Sequence, residues 1–339
     1  MGIVTTNVPS LPPPEGPVSA QLVERLAAFP AARVSFPQVT DEVHPLGEDL
    51  QLALYICYEL HYRGFAGVSP RWEWEPSLLA FRAGLERRFL AAVRTELGPV
   101  PPLAEQLEEL LVEPPTGSGP SHFLLKQGER WQMREYLAQR SLYHLKEADP
   151  QAWAIPRLHG RAQAAFVAIE YDEYGAGHPQ RTHSRLFAKM MRDMRLDTAY
   201  GAYVPVAPAE ALAVVNLMSF FGLHREYRGA LVGQFAEVEI TSSPGARRLA
   251  EALASLGAGD AGTDFYREHV EADAVHEQLV RREVIEALVQ DEPELEADIA
   301  FGLAASTLAD QRLGERAVDC WRQGRSSLRA PLADGPAPG

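Results

Sequence analysis

Apolar residues recur at helical three- and four-residue steps through almost the whole chain, and no turn-bounded run of alternating β-branched residues accompanies them. The nearest strand candidate, residues 203–206, contains Pro205, which a central strand does not tolerate. The sequence therefore predicts an all-α protein. Helices are predicted over residues 20–28, 49–65, 76–97, 103–112, 129–147, 156–173, 184–195, 209–221, 226–239, 245–256, 263–289 and 293–324.

Proline and glycine divide the chain into three parts. Residues 1–45 contain eight prolines, which predicts an arm laid over the surface with one short helix. Residues 46–325 are predicted to form a single helical domain, in which Pro244 separates two helices and Gly257 to Gly262 form a linker. The proline-containing tail, residues 326–339, is predicted to be disordered.

Charge and cysteine content exclude several classes of protein. The 46 acidic residues exceed the 32 basic ones, giving a net charge of −14, which argues against binding to nucleic acid or to an anionic membrane. Two cysteines, Cys57 and Cys320, are too few for a disulfide framework or a four-thiolate zinc site. Residues 211–223 are uncharged but too short to span a bilayer, and no secretory signal is visible, so we expect a cytoplasmic protein.

Familiar catalytic motifs are missing from the sequence. Gly257, Gly259 and Gly262 have the spacing of a dinucleotide fingerprint, but they follow a predicted helix rather than a strand. There is no nucleophile elbow, phosphate-binding loop or His-Glu-x-x-His motif. Hydrolysis by these routes is therefore unsupported.

The residues best suited to chemistry lie in the predicted helix over 263–289. His269, Asp273 and His276 fall within about 60° of one another at 3.6 residues per turn. Two imidazoles and one carboxylate on one face can converge on a metal ion. The alternative is a pair of partly buried, hydrogen-bonded histidines with Asp273 as their partner. Apolar neighbours such as Val270 and Val275 favour the metal, because charges among them need compensation.

Further ligands would come from other helices. Glu147 closes one predicted helix, Glu173 closes another, and Glu239 ends a third, while His183 precedes the start of a fourth. Singly, each glutamate is more typical of a capping or surface residue, and Glu170, Glu237 and Glu271 compete for the same roles. Elsewhere, Glu59 is predicted to pair with Arg63 four residues later.

The order and spacing of these residues resemble the ligand pattern of the heme-oxygenase-like diiron oxidases. Residues 146–156, 171–177 and 216–225 also resemble the actinobacterial branch usually described as iron-containing redox enzymes. The resemblance covers about residues 45–320 and implies a seven-helix heme-oxygenase-type bundle with extra N- and C-terminal helices. It implies that the catalytic metal ligands are Glu147, Glu173, His183, Glu239, His269, Asp273 and His276.

The resemblance also implies a cofactor and a reaction. Two Fe(II) ions are expected, with O2 as co-substrate, and mixed oxygen and imidazole ligation suits iron. Ferritin-type bundles use Glu-x-x-His pairs, which this chain lacks, and a heme oxygenase needs only one axial histidine. The expected substrate is an amino acid or amine-bearing metabolite, and the leading reaction is N-oxygenation. Desaturation, cyclisation and carbon–carbon cleavage remain alternatives.

The sequence predicts the substrate-binding residues and the protein partners less directly. Arg181, Arg225 and Arg228 lie closest in sequence to the site segments and are candidates to bind a substrate carboxylate, although surface positions are more usual for such residues. Two irons supply only two electrons, and the chain has no flavin or iron–sulfur motif, so an external reductase or iron–sulfur protein is expected. A homodimer is a further expectation.

Two other functions remain open. The chain could be a metal-free helical binding or scaffold protein, or it could hold a single iron through His269, Asp273 and His276 alone. The diiron, mononuclear and metal-free hypotheses predict two, one and no irons per chain.

Overall fold

The computed structural model describes residues 8–28, 30, 35–36, 39–40, 42–112 and 117–332, without the side chains of Glu271, Asp273 and Ala274. In these residues the α-helices are α1 (Pro17–Leu26), α2 (Glu48–Glu59), α3 (Pro76–Leu97), α4 (Leu103–Leu110), α5 (Pro120–Gln127), α6 (Arg130–His144), α7 (Gly160–Glu173), α8 (His183–Asp193), α9 (Ala209–Leu223), α10 (Arg228–Ser255), α11 (Asp260–Gln278), α12 (Glu286–Asp291) and α13 (Glu296–Arg322). A π-helical segment, Leu279–Ile285, joins α11 to α12. The described ranges contain no β-strand, so the all-α prediction is confirmed.

The long helix α10 organises the bundle. It packs along α13 on one side and along α11 on another, while α8 packs on α11 and α7 packs on the π-helical segment. Gly233 and Gly302 let α10 and α13 approach closely, because a Cβ on either would lie 2.0 Å from a backbone carbonyl oxygen of the other helix. No helix in the described part of the chain is long and apolar enough to cross a membrane.

The predicted break at Pro244 is wrong. Helix α10 continues through it from Arg228 to Ser255, although proline lacks the N–H that would bond four residues back. Both halves bury apolar side chains, such as Phe235 before the proline and Leu249 after it. Tertiary packing therefore keeps the helix continuous through a residue that would end an isolated one.

Both ends of the described chain pack more closely than their composition predicted. Helix α1 begins at Pro17, and its Leu22 and Leu26 are fully buried rather than on a surface arm. The tail prediction is wrong at its start, because Ser327 is fully buried and donates a hydrogen bond to the Glu135 carboxylate at 2.8 Å. Residues 333–339 of the predicted tail, like 1–7 of the arm, lie outside the described residues.

Candidate metal centre

Five helices or their ends deliver six of the seven predicted ligands to one buried region. Glu173 is the last residue of α7 and His183 the first of α8, so the glycine-containing turn between them brings both inward. Helix α10 supplies Glu239, and α11 supplies His269 and His276. Glu147 does not close its helix as predicted, since α6 ends at His144 and Glu147 lies in the turn beyond. All six side chains are buried.

A first cluster contains Glu147, Glu173, His183 and His269. Each offers one ligand atom, and these atoms all lie within 4.8 Å of one another. His183 Nδ1 is 2.6 Å from Glu173 Oε2, and His269 Nε2 is 3.7 Å from Glu147 Oε1. Two carboxylates and two imidazoles thus converge in a volume that one metal ion could fill.

A second cluster contains Glu173, Glu239 and His276, again with ligand atoms within 4.8 Å. His276 Nδ1 lies 3.0 Å from Glu239 Oε2 and 3.6 Å from Glu173 Oε1. Glu173 therefore belongs to both clusters: its Oε2 faces His183 and its Oε1 faces His276. This is the arrangement that a carboxylate shared by two metal ions would have.

Groups outside the clusters orient two of the imidazoles. The Phe265 carbonyl lies 2.7 Å from His269 Nδ1, and because a carbonyl only accepts hydrogen bonds, Nδ1 carries the proton and leaves Nε2 as the ligand atom. The Asp172 carboxylate lies 3.3 Å from His276 Nε2, which leaves Nδ1 facing the second cluster.

The pKa values of the site residues reflect the crowding of charges. Burial alone would lower the pKa of His276, but Glu239, Glu173 and Asp172 outweigh it and raise the pKa to about 9. Burial would raise the pKa of Glu147, yet His144 and His269 hold it well below its usual range. The histidine protons thus take the place that a metal cation would occupy between the carboxylates.

The way the buried ligand atoms contact one another tests whether the residues fit a metal. Glu147 Oε2, Glu173 Oε1 and His183 Nδ1 are enclosed and make no well-aligned hydrogen bond, so their close approaches to neighbouring charged atoms are ion-pair contacts only. Unsatisfied polar atoms are costly in a protein interior unless something else binds them. Three carboxylates and three imidazoles form a donor set suited to iron, so the residues fit this metal.

The remaining predicted site residues are Asp273 and three arginines, and the arginines lie outside these clusters. The side chain of Asp273 lies outside the described residues, while its backbone is on α11 between His269 and His276. Arg181 pairs with Glu268 at the surface and Arg228 pairs with Glu292, whereas Arg225 is exposed.

Three residues beside the site are not among the predicted ligands, although Glu170 competed for such a role. His144 Nδ1 lies 3.1 Å from Glu147 Oε2, a relation that the three-residue spacing could have suggested. Asp172 stands on the exposed side of α7, and only the structure shows its contact with His276. Glu170 is one turn before Glu173, and neither of its buried carboxyl oxygens has a hydrogen-bond partner. Burial, then Glu173 and Glu239, raise the pKa of Glu170 to about 9.

The predicted pair of Glu59 and Arg63 is wrong. Glu59 instead accepts hydrogen bonds from Lys146 Nζ at 2.9 Å and from the Tyr200 hydroxyl at 2.6 Å, and it is fully buried. Arg63 donates to the Leu145 carbonyl at 3.0 Å. A buried ion pair therefore anchors Lys146, the residue directly before Glu147.

Comparisons with known proteins agree with this geometry. The profile of a family described as iron-containing redox enzyme matches residues 134–311, which include every predicted ligand. The nitrosourea synthase of Streptomyces achromogenes subsp. streptozoticus is 26% identical over 157 residues. That match covers 46% of this chain and 33% of the relative, so the matched part of the chain spans about a third of the length of that protein.

Proposed function

Because the chain belongs to the family of iron-containing redox enzymes and is an oxidoreductase, we propose that it is an O2-dependent non-heme diiron oxidase. The observation that carries the proposal is the position of Glu173 in both ligand clusters. A site for a single ion would not need a third imidazole, His276, and a third carboxylate, Glu239, beside the other oxygen of Glu173.

The proposal gives each residue a task. Glu147, Glu173, His183 and His269 would hold one iron, and Glu173, Glu239 and His276 the other. Asp273, predicted from its spacing on α11, would be a further ligand. Iron bound there would supply electrons to dioxygen. The Phe265 carbonyl and the Asp172 carboxylate fix the rings of His269 and His276.

Aromatic side chains close one side of the centre. The ring of Phe265 lies 4.2 Å from that of His269, and the ring of Phe187 lies 4.7 Å from that of His144. Both phenylalanines are fully buried. They exclude water from this side of the ligands and so strengthen the electrostatic interactions within the centre.

We propose an amino acid or amine-bearing metabolite as substrate and N-oxygenation of the amine as the reaction. Support comes from the name of the relative, a nitrosourea synthase, because a nitrosourea carries an oxidised nitrogen. Oxidative desaturation, cyclisation or carbon–carbon cleavage by the same centre is the alternative.

Repeated turnover would need an external reductase or iron–sulfur protein, since two ferrous ions provide two electrons. We also propose a homodimer as the assembly.

Iron stoichiometry tests the proposal. Anaerobic titration of metal-free protein with Fe(II) should reach two ions per chain. His183→Ala and His276→Ala should each retain one, because each belongs to one cluster only, whereas Glu173→Ala should weaken both sites. The exposed His178 provides a matched control, and His178→Ala should still bind two.

The same samples, mixed with O2 and a panel of amino acids, test the reaction. N-oxygenation predicts one atom of oxygen-18 from labelled O2 on the product nitrogen, and loss of product in His276→Ala. A product with a new double bond, ring or broken carbon–carbon bond would favour the alternative reactions. A maximum of one iron in wild-type protein would favour a mononuclear site, and no iron would favour a metal-free scaffold.

A further inference from the structure

A second internal space lies on the opposite side of α10 from the metal ligands. Glu237 and Glu239 are two residues apart, so their side chains leave the helix about 200° apart. Glu239 enters the metal centre, whereas Glu237 lines a cavity of about 60 Å³ enclosed by α6, α9, α10 and α13. This volume holds several water molecules or a small organic group.

One side chain contacts both this cavity and a predicted metal ligand. His144, at the end of α6, lines the cavity and also places its Nδ1 3.1 Å from Glu147 Oε2. Its neighbour Tyr143 lines the cavity as well. A molecule in the cavity would therefore contact His144, which itself contacts the predicted ligand Glu147.

The charges that line the cavity are unbalanced. Arg140 is already neutralised, because two of its nitrogens bind the two carboxylate oxygens of Asp310 at 2.5 and 3.0 Å. Glu237 is buried and accepts a hydrogen bond from the Ser306 hydroxyl at 2.8 Å. In the described part of the chain, no ion pair joins Glu237 to a basic side chain. Burial disfavours the charged form of this carboxyl group, and a cation beside it would stabilise that form.

An amide on the same wall also lacks a partner. Gln234 is 1% exposed and lines the cavity. Gln234 Oε1 accepts a hydrogen bond from Gln151 Nε2 at 3.1 Å, but Gln234 Nε2 has no acceptor. A buried donor without an acceptor is costly, so a ligand oxygen would stabilise it. The opposite wall is apolar and includes Val214 and Met218.

We propose that this cavity binds a small molecule through its cationic nitrogen, with Glu237 as the counterion and Gln234 Nε2 donating a hydrogen bond to a ligand oxygen. An ammonium or guanidinium group fits the charge, and a short hydrocarbon segment fits the apolar wall. The role of this molecule as the oxidised substrate rests on the proposed function, whereas its binding does not.

Two planar molecules of nearly equal size can distinguish binding by charge from binding by shape, because guanidinium is cationic and urea is neutral. Binding of each, at concentrations far below those that unfold proteins, can be measured by saturation-transfer NMR on metal-free and iron-loaded protein. Guanidinium should bind wild-type protein at least about tenfold more tightly than urea. Glu237→Gln should remove that preference, which is the loss expected for a charge-assisted hydrogen bond.

Two further variants make the result specific. Glu283→Gln removes a surface carboxylate that pairs with Arg161, and guanidinium binding should not change. Ala309→Leu fills the cavity with a larger side chain and should abolish binding of both probes, even if Glu237→Gln does not fold. The proposal is overturned if guanidinium does not bind, if urea binds equally well, or if neither Glu237→Gln nor Ala309→Leu weakens binding.

The two proposals fail separately. Guanidinium binding that depends on Glu237, in a protein that takes up no iron, would support the cavity and refute the oxidase. Two bound irons with oxygen consumption, but no preference for guanidinium over urea, would support the oxidase and refute the cavity.

Discussion

The contact between α10 and α13 makes a quantitative prediction for Gly233→Ala. The added Cβ would lie 2.0 Å from the Ile299 carbonyl oxygen and 2.8 Å from the Leu303 nitrogen. Ordinary van der Waals contact begins at 3.4 Å. Both neighbours are backbone atoms of a buried helix, so they cannot rotate away and the two helices must separate.

The expected magnitude is a difference between two effects. Alanine in place of glycine favours a helix by about 1 kcal/mol. Overpacking in a close-packed interior costs about 1–3 kcal/mol, and a clash with backbone belongs at the upper end. We therefore expect Gly233→Ala to lower the free energy of unfolding by about 2 kcal/mol.

A matched control lies on the same helix. A Cβ added at Gly245 would meet no neighbouring atom within 4 Å, so Gly245→Ala should gain the helical preference of about 1 kcal/mol without a clash. Urea unfolding followed by circular dichroism would compare both variants with wild type, and thermal unfolding should show a difference of about 6 °C between them. If Gly233→Ala were as stable as Gly245→Ala, the close approach of α10 and α13 would be refuted.

Two further predictions concern buried charges. Lys146→Met should destabilise the protein by about 3 kcal/mol, because it leaves the Glu59 carboxylate buried without its cation. In urea unfolding, adding Glu59→Gln to this variant should restore most of the lost stability. Equal stability of the single and double variants would contradict this prediction. Burial raises the pKa of Glu170 from 4.5 to about 9. Between these pH values the metal-free native state holds a proton that the unfolded chain has released. The free energy of unfolding is therefore highest below pH 4.5 and falls as the pH rises toward 9. Glu170→Gln should therefore flatten the decline of melting temperature between pH 5 and 9, whereas parallel curves for the two proteins would contradict it.

Local spacing was enough to place residues that share one helix. His269 and His276 repeat at helical intervals, and both reach the ligand clusters from the same face of α11. Glu173 and His183 flank a glycine-containing break, where a chain reversal brings two helix ends together. In these cases the sequence separation is short, so the backbone geometry alone limits where the side chains can go.

Contacts between distant segments could not be predicted in this way. Glu59 and Lys146 are 87 residues apart. Arg63 follows Glu59 by four residues, which is the spacing typical of a salt bridge within one helix, so the sequence favoured the wrong partner. Pro244 has the local chemistry of a helix breaker, but burial on both sides of it overrides that preference. Glu237 and Glu239 were equally good candidates for a metal ligand in the sequence. Which of them faces the other ligands depends on how α10 packs.

The shared carboxylate of Glu173 has a consequence for how metal ions would load. An ion in either cluster would hold this side chain in one rotamer, so the ion that follows would find its ligand already ordered. The two binding equilibria are then thermodynamically linked, and each ion changes the affinity for the other by the same factor. Uptake would be cooperative if both ions use the same rotamer, and half-loaded protein would then be scarce at every metal concentration.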